Sequence, residues 1–329
     1  MIITQTPLRL SFAGGGTDLP DFWQVEEGQV LSAAIDKYVF VIVSERFDDR
    51  IYVNYSSKEI VDSVDAIRHE LVREAMRLTG VDRGVEVTML ADIPSSGSGL
   101  GSSSSLTVGL LNALHIFQGR QVPAAQLAEE ACEVEIHRCG RPIGKQDQYI
   151  AAFGGIRQFG FRADGTVVID TIRLSAQEYR RLGTSILLYY TDQTRKSAGI
   201  LSEQKSRTAA NLDLLRRLKR YVPQVRSALE TRQFDLIGGI LHESWLLKKQ
   251  LASGVSNPAI DEMYDIAVTA GALGGKVAGA GGGGFLFLYV PFTRQDMVRN
   301  AMRDYREFPA LLEQDGSKVI FNLRRQPAR

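Results

Sequence analysis

Only two cysteines occur in the 329 residues, Cys132 and Cys139, and so few thiols exclude a disulfide framework. His137 lies between them, but the spacing is not that of a zinc site, and both cysteines read as small core or half-buried residues. Excess charge of either sign is also missing: 39 basic residues against 38 acidic ones leave +1. A nucleic-acid binder usually carries a basic excess or stripe. The nearest thing here, Arg216, Arg217, Lys219 and Arg220, reads as a solvated helix face. No apolar run approaches membrane-spanning length, and Met1 to Pro7 contain no basic region followed by an apolar segment. These absences lead to the expectation of a cytoplasmic protein with neither nucleic acid nor membrane as partner.

What is present is a chain that is 44% hydrophobic, enough to bury the core of one large domain or two moderate ones. Hydrophobic patterning predicts alternating strands and helices, without internal repeats. Strands are expected over Ile2–Phe12, Val39–Val43, Ile51–Asn54, Val85–Leu90, Ile156–Phe161, Val167–Ile169 and Ser185–Thr191. Helical spacing covers Ala66–Thr79, Leu106–Phe117, Gln126–Arg138, one long tract Gly199–Tyr221, Phe234–Leu251 and Asn257–Ala270. Lys276–Val290, Gln295–Arg303 and Val319–Leu323 read as strand, helix, strand.

The stretch Asp92-Ile-Pro94-Ser-Ser-Gly97-Ser-Gly99-Leu100-Gly101-Ser102-Ser103-Ser104-Ser105 is a glycine-serine loop running into the apolar helix-compatible segment that starts at Leu106. Gly97, Gly99 and Gly101 let backbone amides approach an anion, and the following helix adds its unpaired N–H groups and positive dipole end. The loop therefore points to a nucleotide phosphate. It is not a P-loop, because no Lys follows Gly101. Nor is it a dinucleotide fingerprint, since counting from Gly97 the last glycine would fall on Ser102. Gly279-Ala-Gly281-Gly-Gly-Gly284 fits that spacing but runs into the strand-like Phe285–Val290, whereas a fingerprint must open a helix.

Three segments in order carry a resemblance. They are Pro7-Leu-Arg9 with Phe12-Ala-Gly14-Gly15-Gly16-Thr17-Asp18, the loop from Pro94 to Ser104, and Gly275-Lys-Val-Ala-Gly279-Ala-Gly281-Gly282-Gly283-Gly284. The chain resembles the GHMP kinases, the family of galactokinase, homoserine kinase, mevalonate kinase and phosphomevalonate kinase. The resemblance spans nearly the whole chain. It implies an α+β, two-lobed GHMP kinase fold with an N-terminal lobe like ribosomal protein S5 domain 2 and a C-terminal ferredoxin-like lobe, divided here at 175/176 within a looser boundary of 171–184. It implies ATP and Mg2+ as cofactors and leaves a homodimer open.

Phosphoryl transfer needs backbone donors, a cation with its ligands, and a group that orients or deprotonates the attacking hydroxyl. By resemblance, Pro94, Gly97, Gly99, Leu100, Gly101, Ser102, Ser103 and Ser104 bind the nucleotide, and Ser103 ligates the magnesium. The galactokinase-like spacing, a Glu twelve residues before the catalytic Asp, selects Glu135 as the second ligand, whereas a mevalonate-kinase-like spacing slides toward Glu133. Asp147 looks like the catalytic Asp, with Arg9 and Lys145 as cations that keep it ionised.

Gly15 and Gly16 stand before Thr17-Asp18 where galactokinase-like enzymes carry Glu-His before Thr-Asp, and the smaller residues open space. These residues, Ala34-Ile-Asp36-Lys37-Tyr38, Gly144-Lys-Gln-Asp-Gln-Tyr149, Thr194-Arg-Lys-Ser197 and Trp245-Leu-Leu-Lys-Lys249 resemble one branch, the D-glycero-D-manno-heptose 7-phosphate kinases, with fucokinase kinase domains as relatives. The branch implies phosphorylation of the anomeric hydroxyl to a 1,7-bisphosphate, with Gly15, Gly16, Thr17, Asp18, Asp36, Lys37, Tyr38, Gly281, Gly282, Arg195 and Lys196 on the substrate. A phosphorylated substrate needs a second anion site, for which Arg195, Lys196, Lys248 and Lys249 are the basic residues at hand. Two other readings stand beside this one: a related kinase acting on fucose, an octose phosphate or a mevalonate-like acid, and a non-catalytic sugar and ATP sensor.

Overall fold

A computed structural model describes residues 1–93, 97–193 and 197–323, with the side chains of 197 and 198 left out. Among these residues one sheet contains β1 (Ile2–Ala13), β2 (Gly28–Glu45), β3 (Ile51–Asn54), β4 (Lys58–Val61), β5 (Val85–Ala91), β6 (Ile156–Phe161) and β7 (Val167–Thr171). A second, three-stranded sheet has the order β8 (Ile186–Tyr190), β10 (Phe285–Tyr289), β9 (Gly274–Val277). The last strand, β11 (Lys318–Asn322), returns to the first sheet and pairs antiparallel with β1.

β2 organises the first sheet. One edge pairs along nearly its whole length with β1; the other is shared, Gly28–Ala33 pairing with β6 and Val39–Glu45 with β5. Residues 30–35 of β2 are buried on both faces, so they lack the alternation that marks a half-exposed strand. That is why the patterning gave only Val39–Val43.

Helix Ser102–Phe117 lies on β1 and β2, with helices Glu70–Thr79, Ala124–Cys132 and Gln146–Phe153 beside it. A second core fills the space between the two sheets. Leu8, Leu10 and Phe12 of β1 meet Val222 and Val225 of helix Leu212–Glu230 and Phe287 of β10 there. Phe12 and Phe287 touch edge to face at 5.4 Å. The carboxyl end of β1 is thereby pinned to the second sheet, and the segments that follow it face a cleft between the lobes.

The long tract expected over Gly199–Tyr221 is two helices, Ser197–Ser206 and Leu212–Glu230. Turn residues 207–211 separate them, and Asn211, at the start of the second helix, donates its buried side-chain amide to Leu251 O at 2.9 Å. Helix Glu70–Thr79 begins later than its periodicity suggested because the His69 side chain accepts from Val72 N at its first turn. The helix expected to reach Arg138 stops at Cys132 and continues as a widened π-type turn, Glu133–Arg138.

Candidate active site

Helix Ser102–Phe117 opens with serines and without an acidic side chain in its own first turn, so its free N–H groups and positive end face the glycine loop. The loop is fixed from two sides. Leu100 O accepts from Arg9 N at 3.0 Å, and the glycine run after β9 presses on it from the second lobe. A Cβ at Gly99, where φ is +73°, would lie 2.4 Å from Ala278 O; one at Gly279 would lie 2.7 Å from Gly99 Cα. Only two glycines allow the backbones to meet this closely. The glycine run reads as a lobe-to-lobe contact that shapes the phosphate loop.

Under the helix start lies Glu135, whose residue is 0% exposed. The π-type turn delivers it inward, a distortion common at functional positions. Its carboxylate accepts from Ser103 Oγ, from Ser104 Oγ at 2.6 Å and from Gln148 Nε2 at 2.8 Å. Arg141 completes the group, with Nη1 on Ser103 Oγ and 3.2 Å from Glu135 Oε1, and Nη2 on Glu70. Burial raises the Glu135 pKa while the two serines, Arg141 and Gln148 oppose that rise. Glu133, by contrast, pairs with Arg138 at 3.1 Å on the surface, its side chain 44% exposed. Of the two carboxylates the sequence left in competition, only Glu135 meets Ser103. A hydroxyl and a buried carboxylate sharing one position form an oxygen donor pair suited to magnesium.

At the mouth of the cleft Arg9, itself 4% exposed, holds Asp147 in a two-pronged contact: Nε to Oδ1 at 2.7 Å and Nη2 to Oδ2 at 2.6 Å. Its remaining prong, Nη1, donates to Gly99 O at 2.5 Å. Asp147 sits in the first turn of helix Gln146–Phe153, where a carboxylate is also favoured by the helix dipole. Beyond it the cleft is lined by the Gly14–Gly16 turn, Asp18, Gln146, Lys248 and Lys276. Asp18 accepts from Gly16 N at 3.0 Å and Gln146 N at 3.4 Å. Burial, and after it the charge of Asp147, raises its pKa above the ordinary value.

Several expected residues stand elsewhere. Lys145 donates to Gly165 O at 2.8 Å and lies 4.8 Å over the Trp23 ring, with no bond to Asp147 among the described residues. Thr17 spends its hydroxyl on Gly14 O and Gln29 O, both at 2.8 Å, and shapes the turn without lining the cleft. Asp36, Lys37 and Tyr38 face the chain before β11: Asp36 accepts from Leu311 N at 2.7 Å, Lys37 lies over Phe308, and Tyr38 donates to Glu313. The reach of β2 carries them past the cleft. Gly281 and Gly282 rest on Val255, Gly282 N donating to Val255 O at 2.8 Å. Ser102 is joined at 3.5 Å to Ser98 within the loop. Pro94, Arg195 and Lys196 lie outside the described residues. Lys249 pairs with Asp261 at 3.1 Å, away from its neighbour Lys248.

Sequence reasoning passed over Arg141, Gln146 and Lys276 as site residues. For Lys276 a signal existed: a lysine in a short strand among glycines, where burial is forced on both faces.

Comparison with known proteins agrees with the family resemblance carried by the three motifs. A model described as the GHMP kinases N terminal domain matches residues 64–155, and one for the GHMP kinases C terminal matches 225–307. A D-glycero-alpha-D-manno-heptose 7-phosphate kinase of Campylobacter jejuni is 32% identical over 92% of this chain and 93% of its own. An L-fucokinase/L-fucose-1-P guanylyltransferase of Bacteroides fragilis is 28% identical over 86% of this chain, which corresponds to 34% of that longer protein. The crystal structure of a D-glycero-D-manno-heptose 1-phosphate kinase from Bacteroides thetaiotaomicron superposes with a TM-score of 0.83 at 25% identity, covering 98% of this chain and all of that one.

Proposed function

Because the chain belongs to the GHMP kinases, phosphotransferases with an alcohol group as acceptor, we propose that it moves the γ-phosphoryl group of ATP to the anomeric hydroxyl of D-glycero-D-manno-heptose 7-phosphate. The product is the 1,7-bisphosphate. The observation that carries this reading is the single guanidinium of Arg9 that joins Asp147, on the acceptor side, to Gly99 O of the glycine loop. The two reacting groups would otherwise be held by separate elements.

In the proposed reaction the anomeric oxygen attacks the γ-phosphorus, the bond from that phosphorus to the β,γ-bridging oxygen breaks, and ADP leaves. Asp147 accepts the hydroxyl proton. Arg9 pairs with the carboxylate and aims it, and the loop amides with the start of helix Ser102–Phe117 receive the nucleotide phosphates. Asp18 accepts from a sugar hydroxyl at the Gly14–Gly16 turn. Ser103 and Glu135 would hold the magnesium ion, which when bound supplies positive charge against the phosphates.

The names of the two heptose relatives differ in which phosphate ester they act on, and the fucokinase relative takes a sugar named without any. ADP release is therefore to be measured with ATP and magnesium against heptose 7-phosphate, heptose 1-phosphate, fucose, galactose, mevalonate and no acceptor, with Asp147→Asn alongside. Turnover with heptose 7-phosphate, lost in the variant, is expected. Turnover with fucose in preference would replace the heptose reading, and ATP binding without turnover on any acceptor would favour the sensor.

A further inference from the structure

Two lysines that the proposed chemistry does not use point into the same cleft. Lys276, 7% exposed, comes from β9, and its ammonium donates to Phe12 O at 3.0 Å. Lys248, at the end of helix Asp235–Lys248, donates to Val277 O at 3.0 Å and Gly279 O at 2.5 Å. All of these partners are neutral carbonyls. Among the described residues neither ammonium has a carboxylate within ion-pair distance: Asp147 is taken by Arg9, and Asp18 by backbone amides. An ammonium buried beside two other cations without a counter-ion is an unfavourable arrangement for the free protein. It is relieved by an anion that carries more than one charge.

The position tells which anion. Phe12 O precedes the Gly14–Asp18 turn, so Lys276 marks the acceptor end of the cleft. The lining of the cleft includes both lysines and Arg9 but none of Gly97–Ser104. Arg9 links the two regions, its guanidinium joining Asp147 on the cleft lining to Gly99 O of the glycine loop. A second phosphate, not the transferred one, is what remains to be matched.

We infer that Lys248 and Lys276 form a binding site for a phosphate monoester dianion carried by the acceptor sugar, which selects phosphorylated over free sugars. This rests on the reading of the cleft as the acceptor site and extends it by naming the group that recognises the substrate's phosphate.

The test is calorimetric titration of the full chain with four probes: heptose 7-phosphate, the free heptose, inorganic phosphate and a non-hydrolysable ATP analogue. Lys248→Met and Lys276→Met are compared with wild type, with the corresponding Gln variants in reserve should either Met protein fail to melt cooperatively, and with Lys249→Met as the control outside the cleft. Losing a charge-assisted hydrogen bond should weaken heptose 7-phosphate and inorganic phosphate by about tenfold or more. Free heptose, the nucleotide analogue and the control variant should be unchanged. Undiminished phosphate ester binding in both lysine variants would overturn the inference, as would a loss confined to the nucleotide analogue. If wild type binds inorganic phosphate through these lysines yet ignores heptose 7-phosphate, the anion site stands and the heptose reading falls. Equal binding of heptose and its 7-phosphate by wild type would have the opposite meaning.

Discussion

Arg9 grips both carboxylate oxygens of Asp147, at 2.7 and 2.6 Å, while its third contact is the carbonyl of Gly99 at 2.5 Å. A strand residue thus sets the distance between the proposed proton acceptor and the glycine loop. Only a planar fork satisfies three acceptors in these directions.

Arg9→Lys keeps the charge and loses the fork. It is expected to lower kcat by at least about tenfold, and Asp147→Asn by roughly 10²–10⁴-fold. The double variant should be little worse than Asp147→Asn alone, because the two act as one unit. Steady-state kinetics on the four proteins decides it; multiplicative losses would mean that Arg9 serves the phosphate and not the carboxylate.

Gly144 leaves no room for a side chain: a Cβ there would fall 2.0 Å from Asp18 Oδ2. Gly144→Ala must push Asp18 off its two amides. The expected result is a raised KM for the sugar with an unchanged KM for ATP, and a stability loss of about 1–3 kcal/mol typical of overpacking. A rise in the ATP KM instead would place Asp18 on the wrong side of the reaction.

Arg141 and a divalent cation seek the same oxygens, those of Ser103 and Glu135. Arg141→Gln should therefore tighten Mn2+ binding in the absence of nucleotide, read by the loss of the free-ion electron paramagnetic resonance signal. Weaker binding would show that the guanidinium organises the pair for the metal and does not compete with it.

How much of this was legible in the sequence depends on what kind of fact is asked for. The loop from Gly97 to Ser104 announces itself because glycine and serine are required where backbone must meet an anion. Glu135 was reachable only through the galactokinase-like spacing that the resemblance implies, with Glu133 open beside it until the fold turned Glu133 outward to Arg138 and Glu135 inward to Ser103. The failures share a cause. Asp36, Lys37 and Tyr38 lie in a family-like string, but string position does not say which end of an 18-residue strand faces the cleft. Lys145 is two residues from Asp147, yet at the helix start that separation turns it toward Trp23. Lys248 and Lys249 are adjacent and were equal in the sequence; helical rotation sends one into the cleft and the other to Asp261. Long-range packing decides such matters, and no local pattern encodes it.

Burial and the nearby Arg9 pull the Lys248 pKa down to about 7. The charged or titratable groups sharing its cleft are Arg9, Lys276, Asp18 and Asp147. A phosphate dianion seated there would draw the proton back onto Lys248. Binding above pH 7 is expected to be accompanied by proton uptake, so calorimetric enthalpies should vary with the ionisation enthalpy of the buffer. Affinity should fall as pH rises through 7, and also as it drops below the second phosphate ionisation at about 6. Buffer-independent enthalpies at pH 8 would contradict this.

Lys276 sits still deeper, and burial, with Lys248 and Arg9 beside it, holds its pKa well below the ordinary 10.5. In the unfolded chain the amine keeps its proton up to that ordinary value, so between the two the unfolded state binds more protons and wild-type stability should rise with pH. Below the folded pKa the full cost of burying the charge is present. Lys276→Met removes that cost while filling the same volume, so the ligand-free variant should be more stable than wild type near neutral pH. Its advantage should shrink as pH climbs toward 10.5, because the wild type sheds the same charge. Urea unfolding of both proteins at pH 6, 7.5 and 9 measures this, with inorganic phosphate added in a parallel series. Phosphate should restore the wild type and leave the variant where it was. A variant less stable than wild type at every pH would mean that the bond from Lys276 to Phe12 O holds the lobes together and outweighs the burial of its charge.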